Sequence, residues 1–519
     1  MFPRTIKQHV FPPLSRNITF HTKRSSKDSS ARKNLFSYTS GRFPFNEKIR
    51  LRERYVEFDA TGLLQEAEKI LGSSLGRATS IVKFAEGGFN RLFLLTMDGG
   101  FEAVVKMPYR IAGPKHFAAA SEAATLQYLH AKGIPVPKVY GYSCTETNPA
   151  GVEYLIMEKA QGVGLRTRWG SMSKREIHKL GTSFVEIEKN IFDLPFGSIG
   201  SIYFKKNIPA ELQGTLCKDK NENMQDSEIF CFGPTADYMS WHGKRAGLNL
   251  YRGPWNTPND YLQSIAQKEI EWTRRYGMPI ELDFPHNGLF PGEQHPDDYI
   301  QLLNKYSPLN RPTLRHPDLN PKNIFICPYS EPPNLKEPSF PANYETLSGE
   351  AKMEADELHQ KHLLFHYYRV FNGGLNKAHL SALRDTLLYP PQHLVDKAGR
   401  QWSGNLMTLK GALIRMTEYW PQLPDTKGVA CPVQFTNAEL EELFEKEEQL
   451  FQLNAVVNLW REQIGGASED GWISNERYES ARQKVVELKE SLIAIAEEDQ
   501  EDIALLEKGW PFRDHEEDN

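Results

Sequence analysis

His316, Asp318 and Asn323 fall within "LRHPDLNPKNIFI", residues 314–326. A carboxylate and an amide five residues apart, in a turn-rich loop closed by an apolar run, suit phosphoryl transfer. That chemistry needs a carboxylate to orient or accept the proton of an attacking hydroxyl, and a nearby oxygen ligand for Mg²⁺. Asp318 is the candidate base, Asn323 the candidate metal ligand, and His316 a brace for the loop backbone. Pro and Asn also favour ordinary surface turns, so the loop needs partners elsewhere. A similar start, His295-Pro-Asp297-Asp298, runs instead into the helical pattern "YIQLL" and reads as a helix N-terminus.

The partners are present. Lys106 lies near the end of the apolar run "AVVKMP", and Glu122 is the only acid in the helical stretch that follows. In phosphoryl-transfer sites a strand lysine holds phosphate oxygens and a helix carboxylate holds the lysine. Gly87 and Gly88, in Glu86-Gly87-Gly88-Phe89-Asn90, let backbone N–H groups approach phosphate oxygens. An ordinary hairpin turn has the same composition, so the order along the chain carries the reading: glycine turn, lysine, glutamate, Asp–Asn loop. Met157 and Glu158 end a further apolar run, where the backbone would meet an adenine ring.

These residues need a scaffold. "SIVKFAEGGFNRLFLLTMDGGFEAVVKMP" holds three strand-like runs separated by Gly87-Gly88 and Asp98-Gly99-Gly100, the pattern of antiparallel hairpins. A helix-forming stretch and two more strand-like runs follow, giving the order β-β-β-α-β-β. Beyond Gly162 the chain reads as mostly helical. Thr436-Asn-Ala-Glu439 is a capping box, and Ser474 is expected to cap a long helix running to Lys508. The expected fold is α+β and two-lobed. Residues 1–40 would be a leader, 51–160 a small β lobe, 161–510 a helical lobe and 511–519 an acidic tail.

The chain has 519 residues, a net charge of −5 and 39% hydrophobic residues. The charge argues against a strongly basic nucleic-acid binder, and no apolar run is long enough for a transmembrane helix. Five scattered cysteines form no CxxC pair, which fits a reduced interior. From Met1 to Lys27 there is no Asp or Glu, while Arg4, Lys7, Arg16, Lys23, Arg24 and Lys27 are basic. That composition is expected of a mitochondrial transit peptide.

The stretches "EGGFNRLFLL", "VVKMPYR", "ASEAATLQYL", "GPTADYMSWHGKRAGLNLYRGPW" and "LNRPTLRHPDLNPKNIFI" resemble the aminoglycoside phosphotransferase and choline-kinase-like superfamily. The closer resemblance is to a fungal "altered inheritance of mitochondria" phosphotransferase-like family. It covers nearly the whole chain after the leader. The resemblance implies a protein-kinase-like fold, ATP and Mg²⁺ as cofactors, an unknown small-molecule hydroxyl as acceptor, and a mitochondrial location. It also implies the roles given above to Lys106, Glu122, Asp318 and Asn323.

One expected part is missing. Such enzymes present a second metal-binding aspartate on a strand after the catalytic loop, in a sequence resembling "GIIDWQH". Here no aspartate occurs between Asn323 and Asp356. Asn323 alone is a neutral, weak ligand for a hard cation, and Glu331 and Glu337 are the acids that lie nearby. The gap reads either as a true loss or as a mis-predicted exon boundary. Two functions stay open: ATP-dependent phosphoryl transfer, the function of the family, or a catalytically impaired kinase-like binding or regulatory protein. A structural protein with a degenerate nucleotide cleft is a third.

Overall fold

The computed structural model describes residues 35–217, 224–281, 293–309, 337–384, 387, 389–423, 426–496 and 499–514. Two helices come first, α1 (Glu47–Glu53) and α2 (Ala60–Leu71). Asp59 starts α2 because its carboxylate accepts hydrogen bonds from the Thr61 and Gly62 N–H groups, which have no carbonyl partner within the helix.

A five-stranded antiparallel sheet follows, made of β1 (Ala78–Glu86), β2 (Asn90–Met97), β3 (Glu102–Pro108), β4 (Val139–Ser143) and β5 (Tyr154–Glu158). Helix α3 (Phe117–Ala131) lies between β3 and β4 in the chain, so the expected order β-β-β-α-β-β is what forms. The spatial order is β1-β2-β3-β5-β4. Strand β2 alternates with period two, and Arg91, Phe93, Leu95 and Met97 are its buried set. One face of the sheet buries Ile81, Phe93, Leu95, Val105 and Ile156 against Leu63 and Ala67 of α2. On the other face, Leu155 packs with Ala119, Ala123 and Tyr128 of α3.

Helix α3 is rich in alanine because both its sides are covered. Beyond it stand the paired strands β6 (Ser201–Phe204) and β7 (Phe230–Gly233), which add Ile202, Phe204, Phe230 and Phe232 to the same core. A helix enclosed in this way has no polar stripe.

Most of the remainder is helical: α4 (Lys174–Phe192), α5 (Pro258–Tyr276), α6 (Pro296–Leu309), α7 (Gly349–Leu375), α8 (Lys377–Arg384), α9 (Tyr389–Ala398), α10 (Met407–Tyr419), α11 (Asn437–Gln463), α12 (Tyr478–Ile495) and α13 (Gln500–Gly509). Its main core joins Leu262, Ala266, Leu303, Tyr306, Leu394, Leu413 and Trp420. Helix α6 starts at the expected His295-Pro296 boundary. The capping box at Thr436 and Glu439 forms in full, with both reciprocal hydrogen bonds.

Ser474 does not cap α12. Its carbonyl accepts the Arg477 N–H in a turn, and the helix begins at Tyr478 without a side-chain cap. Nor does one helix run to Lys508. Asp499 caps a separate α13 by accepting from Glu501 and Asp502 N–H groups.

Residues 35–40, at the far edge of the expected leader and beyond its acid-free stretch, are packed. Leu35 and Tyr38 are buried, and Thr39 and Ser40 hydrogen-bond into β1. At the other end Trp510 and Phe512 are buried with Phe45, so the C-terminal residues close back on the first described segment. The four described cysteines are free. Among the described residues no helix is long and apolar enough to cross a membrane.

Candidate functional site

Lys106 sits opposite Leu92 on one side and Leu155 on the other. Along β3, Val105 and Met107 face the core under α2, and Lys106 projects to the opposite face. Helix α3 covers that face, and the Lys106 ammonium donates to the Glu122 carboxylate. The two side chains remain 19% and 34% exposed, so the pair is sheltered but open to a ligand. The structure therefore brings these two candidates together.

Gly87 and Gly88 turn the chain between β1 and β2. The Gly87 N–H donates to the Asn90 carbonyl at 2.9 Å. Neither glycine has a positive φ, and a Cβ at Gly88 would meet open space. The backbone conformation alone does not require glycine here. Open space beside Gly88 is what lets another group come close to this backbone. Phe89, at the tip, is exposed but rests its ring on Tyr238, 5.3 Å between centroids.

The residue before the turn is the best-anchored charge in this region. The Glu86 side chain is 1% exposed. One oxygen takes the Arg91 guanidinium at 2.8 Å and the Lys83 ammonium at 3.1 Å. The other accepts from the Thr39 N–H, the Thr39 hydroxyl and the Ser40 hydroxyl. Burial by itself would raise the Glu86 pKa, but Lys83, Arg91 and the Thr39 bonds outweigh it and hold the carboxyl below its ordinary range. Burial pulls Lys83 down to about 8, against the pull of Glu86.

Glu86, Lys83 and Arg91 were missed as a unit by sequence reasoning. The signal available was Arg91 itself, a charge on the inward phase of an alternating strand, which demands a buried acid.

Met157 and Glu158 both lie inside β5. Met157 pairs with Val104 and Val139. The Glu158 N–H donates to the Lys138 carbonyl, and its carboxylate accepts from the Lys138 N–H at 3.2 Å. The chain leaves the sheet at Lys159, which is paired with Glu102 at 2.5 Å.

His316, Asp318 and Asn323 lie outside the described residues, as does Glu331. Glu337 is described, and it is engaged: Lys174 of α4 lies 2.5 Å from its carboxylate and the Tyr367 hydroxyl of α7 donates to it at 3.0 Å. Among the described residues, one surface cleft of about 330 Å³ lies beside Tyr38, Arg52 and Arg110, and another of about 710 Å³ beside Arg369, Lys377 and Arg384. Neither of these two is lined by a candidate residue.

Residues 80–230, from β1 into β7, match the family model described as the phosphotransferase enzyme family. The chain carries a phosphotransferase-family domain. The matched span contains Gly87, Gly88, Lys106, Glu122, Met157 and Glu158. A subtelomeric hrmA-associated cluster protein of Aspergillus fumigatus is 27% identical over 85% of this chain and 97% of its own. The mitochondrial protein named altered inheritance of mitochondria protein 9 is 23% identical in Candida albicans, over 91% of this chain and 89% of the relative. In Candida tropicalis it is 23% identical over 92% and 93%. No solved structure matches. The α+β fold is thus kinase-like, and the relatives' names support the mitochondrial location expected from the N-terminus.

Proposed function

We propose that this chain is a mitochondrial kinase-like protein that binds ATP and, as the function of its family, transfers a phosphoryl group to the hydroxyl of a small molecule. The Lys106–Glu122 pair carries this reading, because it joins a strand ammonium to a helix carboxylate inside the phosphotransferase match. The residues fit a nucleotide. Lys106 binds phosphate oxygens and Glu122 aims it. The turn at Gly87 and Gly88 offers its backbone to the same phosphates, and the end of β5 at Met157 and Glu158 borders the base. Asp318 accepts the proton of the attacking hydroxyl and His316 braces its loop. ATP, when bound, supplies the phosphoryl group. The basic, acid-free N-terminus serves as the import signal.

The residues fit Mg²⁺ poorly. Asn323 is a single neutral oxygen, no aspartate lies between it and Asp356, and Glu337 is engaged by Lys174 and Tyr367. This donor set favours a second reading, a kinase-like protein that binds nucleotide without transferring phosphate and acts by binding or regulation.

Thermal-shift titration with ATP, with and without Mg²⁺, tests both. Mg²⁺-dependent stabilisation that Asn323→Ala abolishes supports the enzyme. Equal stabilisation without metal supports the binding protein. No shift under either condition overturns both.

A further inference from the structure

Glu86 stands immediately before the glycine turn, and its buried carboxylate gathers groups from two places. Lys83 and Arg91 come from the hairpin that the turn closes. Thr39 and Ser40 come from the segment that precedes α1. That segment is held in turn by the C-terminal region. The Asn475 amide donates to the Thr39 carbonyl at 2.9 Å, and Arg42 and Ile473 exchange backbone hydrogen bonds at 3.0 and 2.9 Å.

Arg91 extends the same network. Its guanidinium donates to the carbonyls of Leu35 and Arg54 at 2.7 and 3.2 Å, and Arg54 is paired with Asp470 at 3.0 Å. Beyond the turn, the Tyr109 N–H fixes the Phe89 carbonyl at 2.8 Å. The two ends of Gly87–Phe89 are therefore clamped, while Gly88 faces open space.

We infer that Glu86 is a positioning residue for the phosphates of the nucleotide. It sets the glycine turn by tying it to the strap of residues 37–42, and through that strap to the C-terminal segment around Ile473 and Asn475. This rests on the nucleotide reading above. A carboxylate at this position repels phosphate if it is exposed. Here five groups take up both of its oxygens, so its charge is neutralised and its effect on ligand is exerted through the turn. The arrangement acts on the phosphate end of the nucleotide, whereas the base is bordered by β5.

The full-length chain and two variants decide this. Glu86→Gln removes the charge and leaves Lys83 and Arg91 uncompensated, which endangers folding. The double variant Thr39→Val, Ser40→Ala keeps the ion pairs and removes two of the three strap bonds to Glu86, together with the bond from the Lys83 ammonium to the Thr39 hydroxyl. Affinity for ATP and for adenosine is measured by calorimetry, and amide exchange is measured over residues 86–91. The double variant is expected to bind ATP roughly tenfold more weakly, the worth of hydrogen bonds to a charged group, to bind adenosine unchanged, and to exchange faster at the turn. Equal weakening for ATP and adenosine overturns the positioning role, as does wild-type affinity with wild-type exchange. If the wild type binds neither ligand, the nucleotide reading fails by itself. Exchange then decides alone: faster exchange supports Glu86 as the residue that sets the turn, and unchanged exchange overturns it.

Discussion

The ammonium of Lys106 on β3 and the carboxylate of Glu122 on α3 meet across the interface between sheet and helix. The contact exists because β3 presents Lys106 away from the Val105 and Met107 side, and because α3 packs on that face through alanines small enough to let it approach. Lys106→Met should weaken ATP binding by about ten- to a hundredfold, the range for hydrogen bonds to charged groups. Glu122→Gln should weaken it less, since it leaves the ammonium in place but unaimed. Calorimetric titration of the folded variants checks both. Wild-type affinity in Lys106→Met would remove the lysine from the site.

Gly62 makes a tighter demand on packing than any glycine in the turn. It lies in the first turn of α2, and a Cβ there would come within 2.0 Å of the Pro149 carbonyl oxygen. The contact is with backbone, and the Asp59 N–H also binds the Ala150 carbonyl at 2.9 Å, so the loop cannot simply swing away. Gly62→Ala should destabilise the protein by about 1–3 kcal/mol, although alanine is the better helix former. Urea unfolding checks it. A rise in stability would show that propensity, and not packing, decides at this position.

The segment from Gly233 to Trp255 is anchored by a buried charge pair. Arg245 donates through Nη2 to both oxygens of Glu269 on α5, at 2.9 and 2.8 Å, and the Lys268 ammonium lies 3.0 Å from the same carboxylate. Arg245 is 1% exposed and Glu269 is fully buried. Burial holds the Lys268 pKa below its ordinary value despite the pull of Glu269. Glu269→Ala leaves two cations without their acid and should cost about 3–5 kcal/mol. The midpoint of thermal unfolding reads this out, and a shift no larger than that of an exposed Glu→Ala control would contradict it.

Local features of this chain were legible in sequence, and long-range pairings were not. The hairpins of β1 to β3 follow from alternating apolar runs broken by Gly87-Gly88 and Asp98-Gly99-Gly100, and the Thr436 box follows from a four-residue pattern. Each is decided within one turn or one hairpin. Lys106 and Glu122 were legible as a pair because they lie on consecutive elements, 16 residues apart, and a known chemistry demands both.

Glu86 with Thr39, and Arg54 with Asp470, were not legible. Their partners are 47 and 416 residues away, and only the packing of residues 35–54 against β1 on one side and the C-terminal region on the other makes them neighbours. Ser474 shows the converse limit. Its sequence context suits a cap, yet Ile473 is held in a backbone pairing with Arg42, and a turn over 474–477 comes before the helix.

His393 gives the pH dependence a defined window. It lies on α9, its ring stacked on Tyr389 with centroids 5.6 Å apart. Burial first, then the positive charges of Lys397 and Arg415, pull its pKa from 6.5 down to about 4, and Asp396 opposes them only in part. Between those two values the unfolded chain binds the proton and the folded chain does not. Stability from this residue is therefore fully present above pH 6.5 and is lost as pH falls towards 4. His393→Gln removes the titration, because glutamine is neutral throughout. The Tm of the wild type should fall relative to that of His393→Gln as pH is lowered from 7 to 4, with the steepest change inside the window. A constant difference between the two curves would mean that the folded imidazole takes up its proton as readily as the unfolded one.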